Sequence, residues 1–373
     1  MTTQVLHIIP EGVFSNTYHG SYKDVISRVD QLRKIAGEYR QLQLAADDPA
    51  KVLGAVHPGT DLRLLVEYST FPQTVRAIRE QHPNSFIAVR SHNIEPLQLR
   101  DNHGWWPRWG PLWMIYGMGR LLKGDIACKR YADAIYSISD WEERVYWDRL
   151  PGRARVEWLP YHCPNHLLPT SVTPPSKRRV IACLPTLVRH RKSVDLVRRF
   201  IQFAEQARAV APCEYEFVLT GLLEGWGIPN SSAVIYAGVV EDLRDLLRRS
   251  AAVCMLSPLG YGFKTTIVDA IAHGSQAIVH PRLLSRSPQL LQPGLTPLEN
   301  SDSTTVKQVL KRLNSSVSHS RIQQELQQVA VEILAQDLVR STSDSSTATV
   351  STQFGRPRNN AVSDYVTEIA KSS

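Results

Sequence analysis

A chain of 373 residues, 43% hydrophobic and 21% charged, falls in the ordinary globular class, and its length argues against one core and for two domains. It contains no run of about 18 apolar residues, so no membrane-spanning helix is expected. The net charge of +8 suits phosphate-bearing ligands, nucleic acid or an anionic membrane surface and does not choose among them.

The N-terminus, MTTQVLHIIPEG, has no basic segment ahead of its short apolar run. It is expected to be a first buried strand rather than a signal peptide, with a cytoplasmic location to match. Five cysteines, Cys128, Cys163, Cys183, Cys213 and Cys254, are scattered and without CxxC pairs, as reduced thiols would be. In chain order, short apolar strand candidates then alternate with longer helical patterns: QVLHII, RLLVEY, FIAVRSH and AIYSIS, followed by VIACL, YEFVLTG, AVIYAG, AVCMLS and SQAIV. Such alternation predicts an α/β fold of two doubly wound, Rossmann-type domains. After the first strand, YKDVISRVDQLRKIAGEY sets Val25, Ile26, Val29, Leu32, Ile35 and Ala36 on one helical face, as a sheet-covering helix requires. YHCPNHLLPTSVTPPSKRR is proline-rich and aperiodic and predicts a linker. RSTSDSSTATVSTQFGRPRNN is Ser/Thr-rich and predicts a loop before a last helix around AVSDYVTEIA. The expected division is a first domain over 1–165, a linker over 166–178, a second domain over 179–340, and a loop with terminal helix over 341–373.

Two doubly wound domains leave a cleft, and ligands bind outside the carboxyl ends of the strands, so chemistry is expected in the loops after strands. In PEGVFSNTYHGSYKDV, Gly12 and Gly20 precede a helix starting near Ser21; the loop either binds an anion through free amides or is an ordinary turn. VRSHNIE crowds Arg90, His92, Asn93 and Glu95 past a strand end. A histidine there either holds a phosphate, orients a sugar hydroxyl or moves a proton, or it caps the strand. HGWWPRWGPLWMIYGMGRLLKG carries Trp105, Trp106, Trp109 and Trp113 among Arg108, Arg120 and Lys123. The choices are an acceptor-binding lid, a surface helix dipping into lipid headgroups, or core packing. Single-stranded nucleic acid also suits aromatic and basic interleaving, but no OB-fold or RRM strand pattern accompanies it, so no nucleic-acid partner is expected. YHCPNH, with His162, Cys163 and His166, lacks the second cluster that zinc needs, and no metal is expected.

LPTLVRHRKSVDLVRRF places Arg189, His190, Arg191 and Lys192 ahead of a helix, as a pyrophosphate site or as a solvated basic face. GYGFKTTIVDAIAHGSQAIV then sets glycines, Lys264, Thr265 and Thr266 at a helix start, a pattern suited to phosphate. Spacing excludes the P-loop of nucleotide hydrolases, which needs a glycine directly before its lysine, because Phe263 precedes Lys264.

These motifs, in this order, resemble the group 1 glycosyltransferases, the retaining family of the GT-B class. RHRKSVDLV is similar to the family's basic loop with lysine, FVLTG and VIYAGVVEDLRDLLRRSAAVCMLSP to its two glycine-ended strands, and GYGFKTTIVDAIAHGSQAIV to its closing motif. In the first half SHNIE, KRYADAIYSISDWE and VEWLP correspond to its His-Asn strand end, its Ala-Asp segment and its strand before the linker. The resemblance implies a GT-B-like fold with two Rossmann-type domains facing a central cleft. It implies that Asp269 hydrogen-bonds the ribose of a nucleotide-sugar donor, and that Lys192 and Arg189 neutralise its diphosphate. Gly262, Lys264 and Thr265 would form the loop before the helix, and Gly20 would lie near the phosphates. His92 would be the catalytic residue beside the reacting sugar, with Asn93 and Glu95 close by, and Trp105 and Trp109 would stand on the acceptor side. Where the family often carries a first glutamate against the transferred sugar, this chain has Tyr261, which implies either other sugar contacts or a lost activity.

The sequence thus predicts a retaining glycosyltransferase that moves a sugar from a nucleotide sugar to a glycan or lipid-linked acceptor in surface polysaccharide or glycoconjugate assembly. No cofactor is expected, and the location is the cytoplasm with peripheral contact at the inner membrane surface. The alternatives are a noncatalytic glycosyltransferase-like binding protein and a GT-B-fold nucleotide-sugar epimerase.

Overall fold

The computed structural model describes residues 2–15, 20–103, 110–169, 179–186, 189–240, 242–313 and 319–339. Trp105, Trp106, Arg108 and Trp109, most of the 166–178 linker, and the Ser/Thr-rich loop with its terminal helix lie outside them. The first half runs β1 (Thr3–Pro10), α1 (Gly20–Ile35), β2 (Glu38–Leu44), α2 (Pro49–Leu53), β3 (Asp61–Glu67), α3 (Pro72–Gln81), β4 (Phe86–Arg90), α4 (Glu95–His103), α5 (Pro111–Tyr131), β5 (Ala134–Ser137), α6 (Asp140–Val145) and β6 (Arg155–Trp158). The second runs β7 (Val180–Cys183), α7 (Arg191–Val210), β8 (Glu216–Thr220), β9 (Ile235–Gly238), α8 (Leu243–Arg249), β10 (Ser250–Met255), α9 (Thr265–Ala272), β11 (Gln276–Val279), α10 (Pro281–Leu284), β12 (Leu295–Pro297), α11 (Ser303–Arg312) and α12 (His319–Leu338).

These strands form two six-stranded sheets in the orders β2-β1-β3-β4-β5-β6 and β12-β11-β10-β7-β8-β9. Every pairing in them is parallel. The central strands are mostly apolar because both faces are covered, with His7 of β1 and Arg63 of β3 among the buried polar exceptions. In the first sheet Val5 and Leu65 turn to one face, and Leu6, Ile8, Leu64 and Val66 to the other. The edge strand β2, EYRQLQL, buries only Leu44 fully.

α1 begins at Gly20 and packs Val25 and Val29 against Ile9 and Val13, on the face its spacing predicts. Asp24, Arg28 and Gln31 are buried as well, so the polar side of this helix is also covered. α12, expected within the second domain, packs Ala330, Leu334 and Leu338 with Val5, Leu65 and Tyr136 of the first sheet. Its earlier turns put Ile322 and Leu326 with Val253 of β10 and Ile267 of α9, so this one helix is shared by both halves. No described helix is long and apolar enough to cross a membrane.

Candidate functional site

The loops that follow β4 and β5 meet the loop that follows β10, so the carboxyl ends of the two sheets face each other across one seam. Gly262 lies against Asn93 across this seam. Its φ of +104° is left-handed, and a Cβ there would sit 2.2 Å from Asn93 Oδ1, so the backbone conformation and the space both call for glycine. Gly20, from the opposite half, lies against Thr265 at the start of α9, where a Cβ would fall 2.3 Å from Oγ1. Two residues expected at one donor phosphate group are therefore neighbours.

Two cations converge on Gly260. A Cβ there would lie 3.2 Å from Lys264 Nζ and 3.5 Å from Lys192 Cδ. Burial, and then the neighbouring charges of Lys192 and Arg286, bring Lys264 down to about 7. Burial lowers Lys192 too, against the pull of Glu95 and Asp101. The carboxyls opposite move the other way: burial raises Glu95 to about 7 and Glu142 to about 8. Displaced values gathered at one seam mark a candidate functional site. Arg189 is exposed just ahead of α7.

The amides of this loop already have partners. Gly260 N–H donates to Asp101 Oδ2 at 2.7 Å, Tyr261 N–H to Gln98 Oε1 at 3.1 Å, and Phe263 N–H to Glu142 Oε1 at 3.3 Å. Gln98 and Asp101 belong to α4 and Glu142 to α6, so first-half side chains stand where an anion would meet the loop. Arg100 donates to the Tyr261 hydroxyl at 2.9 Å. The guanidinium carbons of Arg100 and Arg286 lie 5.2 Å and 4.7 Å from the centre of the Tyr261 ring. Asp269, on α9, accepts from Lys23 Nζ and from the Tyr161 hydroxyl, each at 2.6 Å. Burial alone would lower Lys23, and the Asp269 carboxylate reverses this and raises it.

His92, expected either to hold a phosphate, orient a sugar hydroxyl or move a proton, or to cap the strand end, has carboxylate partners at both ring nitrogens. Its Nε2 lies 2.9 Å from Glu67 Oε2 and its Nδ1 3.1 Å from Asp24 Oδ2, and its ring stacks on Tyr68 at 4.0 Å. Arg28 donates to both carboxylates, Arg90 donates to Asp24, and His7 lies 2.7 Å from Glu67. Burial pushes Asp24 and Glu67 up, but Arg28 foremost holds both well below the ordinary carboxylate range. Burial lowers His92 itself, against those two carboxylates. The ring is committed because Asp24 on α1 and Glu67 at the end of β3 converge on it, and neither is visible within VRSHNIE. Its neighbour Asn93 donates to Glu95 Oε1 at 3.4 Å. Trp113 meets His103 edge-on at 5.9 Å, at the junction of α4 and α5.

Lys23, Gln98, Asp101, Glu142, Tyr161 and Arg286 belong to this seam although no motif singles them out. Only Glu142 carries a local signal. Ser139 caps α6 by accepting from Glu142 N–H at 3.2 Å, a Ser-x-x-Glu pattern that marks a helix start and says nothing of the reach to Phe263. In YHCPNH, His162 bonds Gln31 at 2.6 Å and His166 faces Asp30 at 3.4 Å. Among the described residues no group of three or more His, Cys, Asp or Glu is placed to hold a metal ion.

No family profile and no curated protein matches the chain in sequence. Solved structures match it in fold. The α,α-trehalose 6-phosphate synthase of Burkholderia multivorans aligns at a TM-score of 0.57 and 12% identity, over 91% of this chain and 96% of that one. The E. coli trehalose-6-phosphate protein bound with UDP-2-fluoro glucose aligns at 0.59 and 11% identity, over 90% and 99%. The sucrose-phosphate synthase of Thermosynechococcus elongatus aligns at 0.57 and 12% identity, over 90% and 95%. Identities this low speak for architecture alone, and on that ground the chain has the GT-B fold, two parallel Rossmann-type sheets facing each other across one seam.

Proposed function

We propose that the protein is a retaining glycosyltransferase that moves a sugar from a nucleotide sugar to a glycan or lipid-linked acceptor, in surface polysaccharide or glycoconjugate assembly. The observation that carries this reading is the pair Lys192 and Lys264 crowding Gly260 ahead of α9. Two desolvated cations and a run of loop amides at a helix N-terminus suit a diphosphate. A nucleotide sugar analogue bound to one fold neighbour is a ligand of the same class. In the reaction the lysines take up the charge that gathers on the departing diphosphate as the glycosidic bond loosens, and the acceptor hydroxyl attacks from the same face. Donor binding requires Asp101, Gln98 and Glu142 to release the loop amides and Lys23 to share Asp269 with the ribose hydroxyls. His92 supports the strand end beside the reacting sugar. The setting is the cytoplasm, with peripheral contact at the inner membrane surface.

The noncatalytic alternative has one observation in its favour, the occupation of the loop amides by Asp101, Gln98 and Glu142. A thermal-shift series with UDP-, GDP- and ADP-sugars tests donor binding, since a ligand of the folded state alone raises its melting temperature. Release of nucleoside diphosphate is then measured with and without glycan acceptors. Release that needs acceptor supports the transferase, conversion of one nucleotide sugar into another with no net release the epimerase, and binding without either the noncatalytic protein. No shift with any nucleotide sugar at millimolar concentration overturns the donor site.

A further inference from the structure

Helix α5 turns apolar side chains toward solvent. Leu112, Ile115 and Tyr116 are 80%, 62% and 72% exposed, and Leu122 is exposed beside them. At about 100° per residue, Leu112, Ile115, Tyr116, Gly119, Leu122 and Lys123 fall within an arc of about 120°. Met114, Asp125, Cys128 and Lys129 are buried elsewhere on the helix. The exposed polar side chains along this stretch are the cations Arg120 and Lys123. Between Asp101 and Asp125 the sequence holds Arg108, Arg120 and Lys123 and no acidic residue.

We propose that this face of α5 docks on an anionic lipid bilayer, with Leu112, Ile115, Tyr116 and Leu122 at the acyl boundary and Arg120 and Lys123 on lipid phosphates. The charge pattern selects this occupant. Lys123 lies within the apolar arc, so a second copy of this chain would set like charges against each other with no acid on the face to offset them. A bilayer surface offers hydrocarbon to the apolar side chains and phosphate to the cations, which reach it on long flexible stems. Because no described helix can span a membrane, α5 lies in the plane of the interface. Arg120 also lines a cavity of ≈ 620 Å³ with Pro10, Leu44, Asp47 and Phe71, at the carboxyl ends of β1, β2 and β3. Docking brings that cavity to the lipid surface, where a lipid-linked acceptor presents its sugar. The use made of this placement rests on the glycosyltransferase reading, whereas the docking itself does not.

The test is cosedimentation with vesicles of phosphatidylcholine alone and of phosphatidylcholine with phosphatidylglycerol. The protein is expected to pellet with the anionic vesicles, less with the neutral ones, and less at high salt. Leu112→Glu with Ile115→Glu should abolish pelleting, and Lys123→Gln should weaken it about fivefold. All three positions are exposed, and an unchanged melting temperature shows that the variants fold. The proposal is overturned if the wild type stays in the supernatant with both vesicles, or if the double variant pellets equally well. It is also overturned if the wild type is a dimer that the double variant splits, since a second copy then covers the face. Donor binding is read separately, as a thermal shift without vesicles, so failure of the docking and failure of the donor site give different results.

Discussion

Lys23 on α1 and Asp269 on α9, 246 residues apart, form an ion pair at 2.6 Å that joins the helix covering the first sheet to the helix after the Gly260–Thr265 loop. Their side chains are only 15% and 3% exposed, so removing one partner strands the other charge away from water. Asp269→Ala and Lys23→Met are each expected to lower the unfolding free energy by about 3 to 5 kcal/mol. In urea denaturation, Lys23→Met with Asp269→Leu should recover most of that loss. A double variant as unstable as the sum of the two singles would show that the pair is not the unit that matters. Asp269→Ala should also weaken nucleotide binding by about 1.5 to 3 kcal/mol.

Lys264 titrates near 7 in the free protein because it is buried beside other cations. A bound diphosphate favours the ammonium form, so the pKa in the complex is higher and binding takes up a proton above about pH 7. Nucleoside diphosphate affinity is therefore full below that point and falls as pH rises through it. Lys264→Ala should lose about 1.5 to 3 kcal/mol of binding at low pH and flatten the slope, which also corrects for titration of the phosphate itself. Calorimetry at about pH 6 and about pH 8.5 checks this, and equal slopes for wild type and variant would remove Lys264 from the donor site.

His92→Ala removes the ring between Glu67 and Asp24 and should lower stability by about 1 to 3 kcal/mol. Turnover is expected to fall more than nucleotide affinity, with His92→Gln recovering part of both losses. Lost turnover at an unchanged melting temperature would instead place the ring in the transfer step. Since Asp24 and Glu67 are held below their unfolded values, they contribute stability that is present above about pH 4 and is lost as pH falls through their folded values. A urea midpoint at about pH 3 no lower than at about pH 7 would contradict this.

Glu142 behaves in the opposite sense. Burial raises it to about 8, and Oε2 finds no hydrogen-bond partner among the described residues. Its folded value lies above an unfolded value of about 4.3, so this side chain favours the fold most at low pH and increasingly opposes it as pH rises toward 8. Glu142→Gln keeps an acceptor for Phe263 N–H without the charge. It should be nearly neutral at about pH 5 and stabilising at about pH 9 in urea midpoints, and a pH-independent effect would argue against a raised carboxyl.

Tyr261, within the Gly260–Thr265 loop, lies beside the guanidiniums of Arg100 and Arg286. Tyr261→Glu would place a carboxylate beside Arg100 and Arg286, which can neutralise it. Nucleotide affinity should stay close to wild type while the preferred sugar changes, read from thermal shifts across a donor series. A collapse of nucleotide affinity would mean that the Tyr261 ring itself builds the phosphate site.

The central strands were legible because a parallel strand covered on both faces is mostly apolar, as the runs within QVLHII, FIAVRSH and AVCMLS are, even though His7 interrupts the first and Arg90 ends the second. β2 and β12 were not. Both are edge strands, one polar and half-solvated, the other three residues ending in proline, and neither needs the apolar run that reveals a strand. The loop from Gly260 to Thr265 announced itself because glycine, lysine and hydroxyl side chains at a helix start form a local pattern, and local chemistry is written in adjacent residues. Its partners were hidden. Asp101, Gln98 and Glu142 reach the loop amides across 121 to 163 positions, and no periodicity encodes which charge a distant helix will present. α1 shows both limits in one element. The spacing of Val25, Val29 and Leu32 determined the face that covers the sheet, whereas the burial of Asp24 and Arg28 was decided only when β3 and β4 brought Glu67, Arg90 and His92 to that helix, because a charge is tolerated in a core only where the fold delivers its counter-charge.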